Sequence, residues 1–469
     1  MPKIKKKYES GSFRDPEGRI FYFGDRIFRQ FTKDGYSQFL KFFQNPLFRA
    51  LLEEKIIIPT YCIDKSSFHD LSDIEGEVVE HERIPFISYS YEWTPSMLRD
   101  AGLLVLELQK RLLACDYSLK DATPYNVQFK NGKPIWIDIA SIQHWDGKPA
   151  WVAYSQFCRF YLYPLLLRKF AKIGINRLLL AELEGVDFEE TVKMLPVRVM
   201  LDPRFFWDVA LPSILQKFIK ERFSADIIRS RNKSSPYAKK IQQKTLKRLS
   251  NLIRGLVGEE ESLWSRYQES DICNYSKNAL RQKEEFVKEC LREAQSRNIL
   301  DVGCNTGFYS LAGSKILPAG QIVSIDNDTE SVEQLYKTLK GEKILPLVLD
   351  VTNSSPALGW RSLERKSFLE RADFDCILAL AIIHHLRVTK NLPLKEIAEF
   401  FYSLTSRYLI IEFVDKNDMM FQKLVAIRED IYHDYSISSF ENIFSKFFRL
   451  RKKLLLDGQT RTLYFLKKI

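Results

Sequence analysis

The stretch "ILDVGCNTGFYSL", residues 299–311, runs from an apolar segment into two glycines four positions apart, with Asp301 in front of them. A parallel strand delivers its carboxyl end to one edge of a sheet, where a crevice opens for a ligand. Gly303 and Gly307 let the backbone turn sharply and approach that ligand without a Cβ in the way. In a dinucleotide site such a turn receives a pyrophosphate at a helix N-terminus, whereas an early carboxylate suits a cationic or amine-bearing ligand better. Two further strands repeat the pattern. "VSIDND" carries Asp326 at about the distance downstream where an acid takes ribose hydroxyls, and "LVLDV" carries Asp350. Three consecutive strands ending in an acid are hard to explain as core.

Around this stretch, from residue 298 onward, apolar strand-like runs alternate with helical periodicity: "NILDVGC", "QIVSIDND", "ILPLVLDV", "FDCILALAII" and "RYLIIEFV". That order argues for an α/β unit with a Rossmann-like parallel sheet and crossover helices. Over about residues 270–469 the chain resembles the class I S-adenosylmethionine-dependent methyltransferase family, in the D-x-G-x-N-x-G form with Asn305 where many members have glycine. The resemblance implies S-adenosyl-L-methionine as cofactor. Asp301, Gly303, Asn305 and Gly307 would then form the turn beside its amino acid portion, Asp326 would hold the ribose hydroxyls, and Asp350 would meet the adenine amino group. Tyr275 would contact the cofactor from a lid segment, unless its surroundings are an ordinary helix cap at Ser276. Charge agrees, because this cofactor carries a sulfonium and an ammonium and no phosphate. A nicotinamide-binding Rossmann domain is the structural competitor.

"AIIHHL", residues 381–386, follows the fourth of these strands, where the family places residues near the transferred methyl group. His384 and His385 are the catalytic candidates there, since imidazole titrates near neutral pH and can take a proton from a hydroxyl or amine. The alternative is packing, because an in-line displacement depends largely on orientation. Arg361, Arg365, Lys366 and Arg371 gather in one short stretch, either as a solvated face or as a rim for a phosphate or carboxylate. Glu412 and Asp415 follow the fifth strand with an open role.

A second constellation lies in "SLKDATPYNVQFKNGKPIWIDIAS", residues 118–141. Asp121 precedes Asn126 by five positions, and a strand pair turning at Asn131 and Gly132 brings Asp138 back beside them. The spacing resembles the catalytic loop and metal-binding acid of the protein-kinase-like and aminoglycoside-phosphotransferase-like families, over roughly residues 15–220. That resemblance implies an α+β kinase-like domain in which Asp121 orients a hydroxyl while Asn126 and Asp138 hold the magnesium of Mg-ATP. The sequence lacks a glycine-rich loop between the first strands and a V-A-I-K lysine, for which Lys33 or Arg29 would have to substitute. A substrate-recruiting domain without phosphoryl transfer is the other reading.

The pattern before this loop is a hairpin in "RIFYFGDRIFRQF" turning at Gly24 and Asp25, a helical segment over 36–55, a strand at "IPFISYSYEW" and a long helix capped by Thr94 and Pro95. We therefore expect a kinase-like or accessory domain at 1–225, a helical linker at 226–269 and the methyltransferase domain at 270–469. No apolar run has the length of a membrane span and the basic N-terminus lacks a secretory pattern, so the expected location is the cytoplasm. Seven cysteines scattered singly exclude a disulfide framework or a structural zinc site. The net charge of +11 favours an anionic acceptor such as a phosphorylated sugar, a lipid-linked glycan or RNA. No recognisable RNA-binding module accompanies it.

Overall fold

Gly24, at φ +59, closes the hairpin that begins the first unit, and the strands on either side bury stacked Phe21 and Phe28. The computed structural model describes residues 6–65, 74–213, 236–258, 275–317, 320–426, 432–458 and 460–469. The chain divides into two units, Met1–Glu259 with Leu358–Arg365, and Glu260–Ala357 with Lys366–Ile469.

Among the described residues the first unit contains a five-stranded antiparallel sheet built from β1 (Lys7–Tyr8), β2 (Gly18–Phe23), β3 (Arg26–Phe31), β4 (Thr60–Cys62) and β5 (Glu77–His81), in the order β1-β2-β3-β5-β4. Two helices, Lys33–Phe43 and Pro46–Glu53, connect β3 to β4. The break between them falls at Asn45, whose side chain accepts from Leu47 N, with Pro46 in the first turn. The helix Pro95–Ala114 starts at Thr94, whose hydroxyl accepts from Met97 N, as the sequence predicts. It leads into β6 (Tyr117–Leu119), and β7 (Val127–Lys130), β8 (Lys133–Trp136) and β9 (Ile142–His144) follow. β7 pairs with β8 across Asn131 and Gly132, while β6 pairs with β9. These pairings carry Asp121, Asn126 and Asp138 in the loops between them.

One expectation is corrected here: "IPFISYSYEW" is not a strand. Pro85 offers no N–H to a ladder, and the segment ends in a 3-10 turn, Ser90–Glu92, in which Glu92 accepts from Tyr89 N at 3.0 Å. The strand of this region lies earlier, in the alternating Glu77–His81. Within the expected linker 226–269, the helix Ala238–Arg254 belongs to the first unit, where Gln109 Nε2 donates to Gln242 at 3.3 Å. Residues 226–235 and 259–269 lie outside the described residues, as does Cys273.

The second unit is a seven-stranded, mostly parallel sheet of β10 (Asn298–Val302), β11 (Gln321–Asp326), β12 (Ile344–Val348), β13 (Phe374–Ala379), β14 (Thr405–Val414), β15 (Phe448–Leu455) and β16 (Arg461–Lys468). Its order is β12-β11-β10-β13-β14-β16-β15, parallel from β12 to β14 and antiparallel thereafter. Helices Lys277–Ala294, Phe308–Ile316 and Thr329–Thr338 pack against it around Ile299, Ile322, Cys376 and Leu378. The strand order reverses beside β10, so the crevice of a Rossmann-like sheet opens at the carboxyl ends of β10, β11 and β13. The closing pair β15 and β16 lies beyond the five strands foreseen.

Candidate active site

The turn after β10 has the conformation its residues dictate. Gly303 and Gly307 stand at φ +71 and +79, and Asn305, at φ +51, fills a left-handed position that asparagine tolerates. A Cβ at Gly307 would come within 2.4 Å of Leu335 Cδ1, so this glycine also lets the turn pack on the helix Thr329–Thr338. Asp301 is 3% exposed and accepts from Ser310 Oγ at 2.5 Å. Burial pushes its carboxyl up to about 6, the Ser310 hydrogen bond pulling the other way. Asp326 accepts the backbone N–H of Asn305 and of Asp328, each at 2.9 Å, and burial raises its carboxyl as well. Among the described residues no ion pair holds Asp301 or Asp326. Such carboxylates gain from a cationic ligand, because its attraction offsets both their mutual repulsion and the cost of keeping them charged while buried.

Asp350, just past β12, is placed differently. It accepts from Lys390 Nζ at 2.8 Å and from Thr352 N and Oγ1 at 2.9 and 2.7 Å. Burial alone would raise its carboxyl, but Lys390 and Thr352 outweigh that and hold it below the usual range.

The carboxyl end of β14 carries a buried charge network. Glu412, fully buried, accepts from Lys283 Nζ at 2.7 Å and from Tyr275 Oη at 2.5 Å. Arg461, at the start of β16, forks onto Asp418 at 2.7 and 3.1 Å, donates to Tyr275 Oη and lies 3.8 Å from Glu412. Two cations thus face two anions in a dry environment. Burial works to raise Glu412, yet Lys283 and Arg461 prevail and keep it ionised. Ser276 does cap its helix, accepting from Ala279 N, while its neighbour Tyr275 enters this network.

His384 is 2% exposed, and its ring centroid lies 4.2 Å from that of His385. Burial, then His385, Arg461 and Lys283, drive the His384 pKa well below its ordinary value. Burial and Arg461 lower His385 to about 4. Both imidazoles are therefore neutral at pH 7, and among the described residues His384 Nδ1 has no hydrogen-bond partner. A neutral ring of this kind can accept a hydrogen bond, but the cations beside it oppose full proton transfer.

The other constellation assembles in the first unit. Asn126 Nδ2 donates to Asp121 at 3.0 Å. Arg29, on β3 and 5% exposed, reaches Asp138 at 2.7 Å through one nitrogen and Asp15 at 2.6 Å through the other. Burial raises the Asp138 carboxyl against the pull of Arg29. Lys33 is exposed, so Arg29 rather than Lys33 meets Asp138, and Lys120 is a second cation beside it. Among the described residues no group of three or more His, Cys, Asp or Glu side chains is arranged to hold a metal ion, leaving Asn126 and Asp138 as the candidate pair. Arg361 and Arg365 fall in the first unit, where Arg365 stacks 3.9 Å above the Tyr125 ring, while Lys366 and Arg371 fall in the second.

No protein-family model matches the chain. The chain is 33% identical over 460 residues to nodulation protein NoeA of Rhizobium meliloti (strain 1021), covering 97% of this chain and 95% of that protein. It belongs to the NoeA family of nodulation proteins. Solved chains similar over part of it include N-methyltransferase NodS from Bradyrhizobium japonicum WM9 in complex with S-adenosyl-L-homocysteine, at 12% identity, 44% of this chain, 96% of that chain and a TM-score of 0.33. A SAM-dependent methyltransferase from Aquifex aeolicus follows at 18% identity, 45% of this chain, 100% of that chain and 0.31. WbdD matches at 17% identity, 46% of each chain and 0.29.

In this NoeA family member Gly303, Asn305 and Gly307 form the turn after β10, Asp326 at the end of β11 accepts from Asn305 N, and Asn126 donates to Asp121. Lys283, Asp418 and Arg461 around Glu412 were not foreseen from the sequence. The one local signal, for Arg461 alone, was a cation at the head of the apolar run in "QTRTLYFLKK". Among the described residues no helix is long and apolar enough to cross a membrane.

Proposed function

We propose that this NoeA family member transfers the methyl group of S-adenosylmethionine to an oxygen or nitrogen of an acceptor, at the carboxyl edge of its second unit. The observation that carries the reading is the pair of carboxylates, Asp301 and Asp326, placed on adjacent parallel strands without an ion pair among the described residues. Two carboxylates, which only accept hydrogen bonds, fit a phosphate-free, positively charged nucleoside and repel a pyrophosphate. When bound, the cofactor supplies a methyl group on a sulfonium. The chain's part is to hold and orient: Asp301 the amino acid portion, Asp326 the ribose hydroxyls, Asp350 the adenine edge, and Tyr275 the near side. His384 and His385 accept a hydrogen bond from the acceptor without being charged beforehand. Net charge +11 supports an anionic acceptor. The test is calorimetry with S-adenosylmethionine: Asp326→Ala should lose binding, and unchanged affinity would remove the assignment.

A second activity is favoured by one observation. Hairpin, helices, strands and long helix precede the Asp121–Asn126 loop, in the element order of kinase-like families, and Asp138 returns beside it. In that reading the first unit phosphorylates the acceptor that the second methylates. Magnesium-dependent ATP binding that vanishes in Asp138→Ala supports it, and absence of any nucleotide effect leaves a scaffold.

A further inference from the structure

The loop before β2 reads Asp15-Pro16-Glu17, and both its acids are spent on cations of the Asp121–Asp138 site. Asp15 pairs with Arg29 at 2.6 Å and Glu17 with Lys120, the neighbour of Asp121, at 2.6 Å. The cations are the more deeply placed partners on the Arg29 side, where the side-chain exposures are 7% for Arg29 and 24% for Asp15. Among the described residues the buried Nε of Arg29 has no partner, although the guanidinium already serves two carboxylates. A guanidinium with an unused donor and one displaceable carboxylate has the valence for a ligand with several anionic oxygens.

Charge points the same way. Asp15 and Asp138 pair with Arg29 and Glu17 pairs with Lys120, while Asp121 acts on Asp138, so the loop supplies the two charges by which these four acids exceed the two cations. Without them Arg29 would keep only Asp138, and a metal ion held by Asn126 and Asp138 would draw that carboxylate away. The loop backbone is anchored by Thr32 N, which donates to Glu17 O at 2.8 Å, and the Arg14 side chain next to Asp15 pairs with Glu364 at 2.7 Å within the same unit. Exchange therefore takes rotation of two side chains, Asp15 keeping or releasing through Oδ1 the Glu17 N–H it accepts at 2.9 Å while its Oδ2 leaves Arg29.

We propose that the Asp15 and Glu17 carboxylates are a built-in competitor at an anion site formed by Arg29 and Lys120, and that the ligand they exclude is a magnesium polyphosphate. This rests on the kinase-like reading of the first unit and adds to it an internal brake. Phosphate oxygens on Arg29 and Lys120 replace the two carboxylates one for one, and the unpartnered Nε takes a further oxygen.

The experiment is calorimetry on the full chain with Mg-ATP and, separately, Mg-tripolyphosphate, comparing the native protein with Asp15→Asn/Glu17→Gln. These isosteric amides keep hydrogen-bond acceptors for both cations, and a melting curve of each form checks folding. The expected result is binding about tenfold tighter in the double variant, a smaller gain of the same sign in Glu17→Gln alone, and loss of the gain when Arg29→Gln is added. Tighter binding of both ligands assigns the effect to the phosphates, whereas a gain confined to Mg-ATP would overturn the polyphosphate class. Equal or weaker binding in the double variant overturns the brake, and if that binding still depends on Asp138 the kinase-like reading survives. Absence of binding by either ligand to any form overturns both.

Discussion

Replacing Asp301 by Asn should make the second unit more stable and its cofactor site useless. Burial lifts this carboxyl from an ordinary 3.8 to about 6. A shift of roughly two units corresponds to about 3 kcal/mol, which the folded state forfeits at neutral pH by keeping the buried group ionised. The sign follows from the direction. A carboxyl raised on folding favours the fold below its unfolded value, and that benefit is lost as pH rises through about 6. The gain from Asp301→Asn should therefore be small near pH 4, grow across the interval, and reach its full size above pH 7. Asn retains an acceptor for Ser310 Oγ, now 2.5 Å from Asp301, so the hydrogen bond need not be lost. For a unit of this size about 3 kcal/mol moves the melting transition by about 6–12 °C. Scanning calorimetry at several pH values, with and without S-adenosylmethionine, reads both effects. The native protein should gain a cofactor-dependent shift that the variant lacks, and its affinity should weaken about tenfold from pH 7 to pH 5 as Asp301 takes a proton. A variant that is less stable at pH 8, or that keeps the cofactor shift, would refute the argument that Asp301 is a buried anion awaiting a cation.

Three other outcomes follow from the same geometry. Asp326→Ala should weaken S-adenosylmethionine binding by about a hundredfold in calorimetry, since a ribose held by a carboxylate loses two charge-assisted hydrogen bonds. Because burial and Arg461 set His385 near 4 and His384 lower still, the methyl-transfer rate at saturating cofactor should show no histidine inflection between pH 6 and 8; an inflection near 6.5 abolished by His385→Gln would contradict this. Glu412→Gln leaves Lys283 and Arg461 facing each other without their shared anion, and should cost about 3–5 kcal/mol in chemical denaturation, whereas a near-neutral effect would mean the network is solvated.

How much of this was legible beforehand depends on the range of the interaction. The turn conformations at Gly303, Asn305 and Gly307 depend on residues a few positions apart, and the acid at the end of each strand is set by strand length. Thr94 capping its helix, and Asp121 with Asn126 five positions on, are likewise local. "IPFISYSYEW" was misread because its apolar alternation is satisfied by burial in a loop: Ser88, Ser90, Glu92 and Trp93 are all buried, with Gln128 and Glu92 supplying the hydrogen bonds a strand would have made.

The sequence by itself determined the strand–turn–helix around Asp301, the succession of acid-ended strands and the Asp121 loop, since spacing along one chain decides which way a backbone turns and which face a side chain takes. Only the tertiary structure decided the company those residues keep. Tyr275 meets Glu412 across 137 positions and Arg461 across 186, Arg29 meets Asp138 across 109, and Leu358–Arg365 joins the first unit rather than the strands that flank it in sequence. Pairing of this kind is chosen by which charges are left unsatisfied when separate elements close over one another, and no periodicity records that choice.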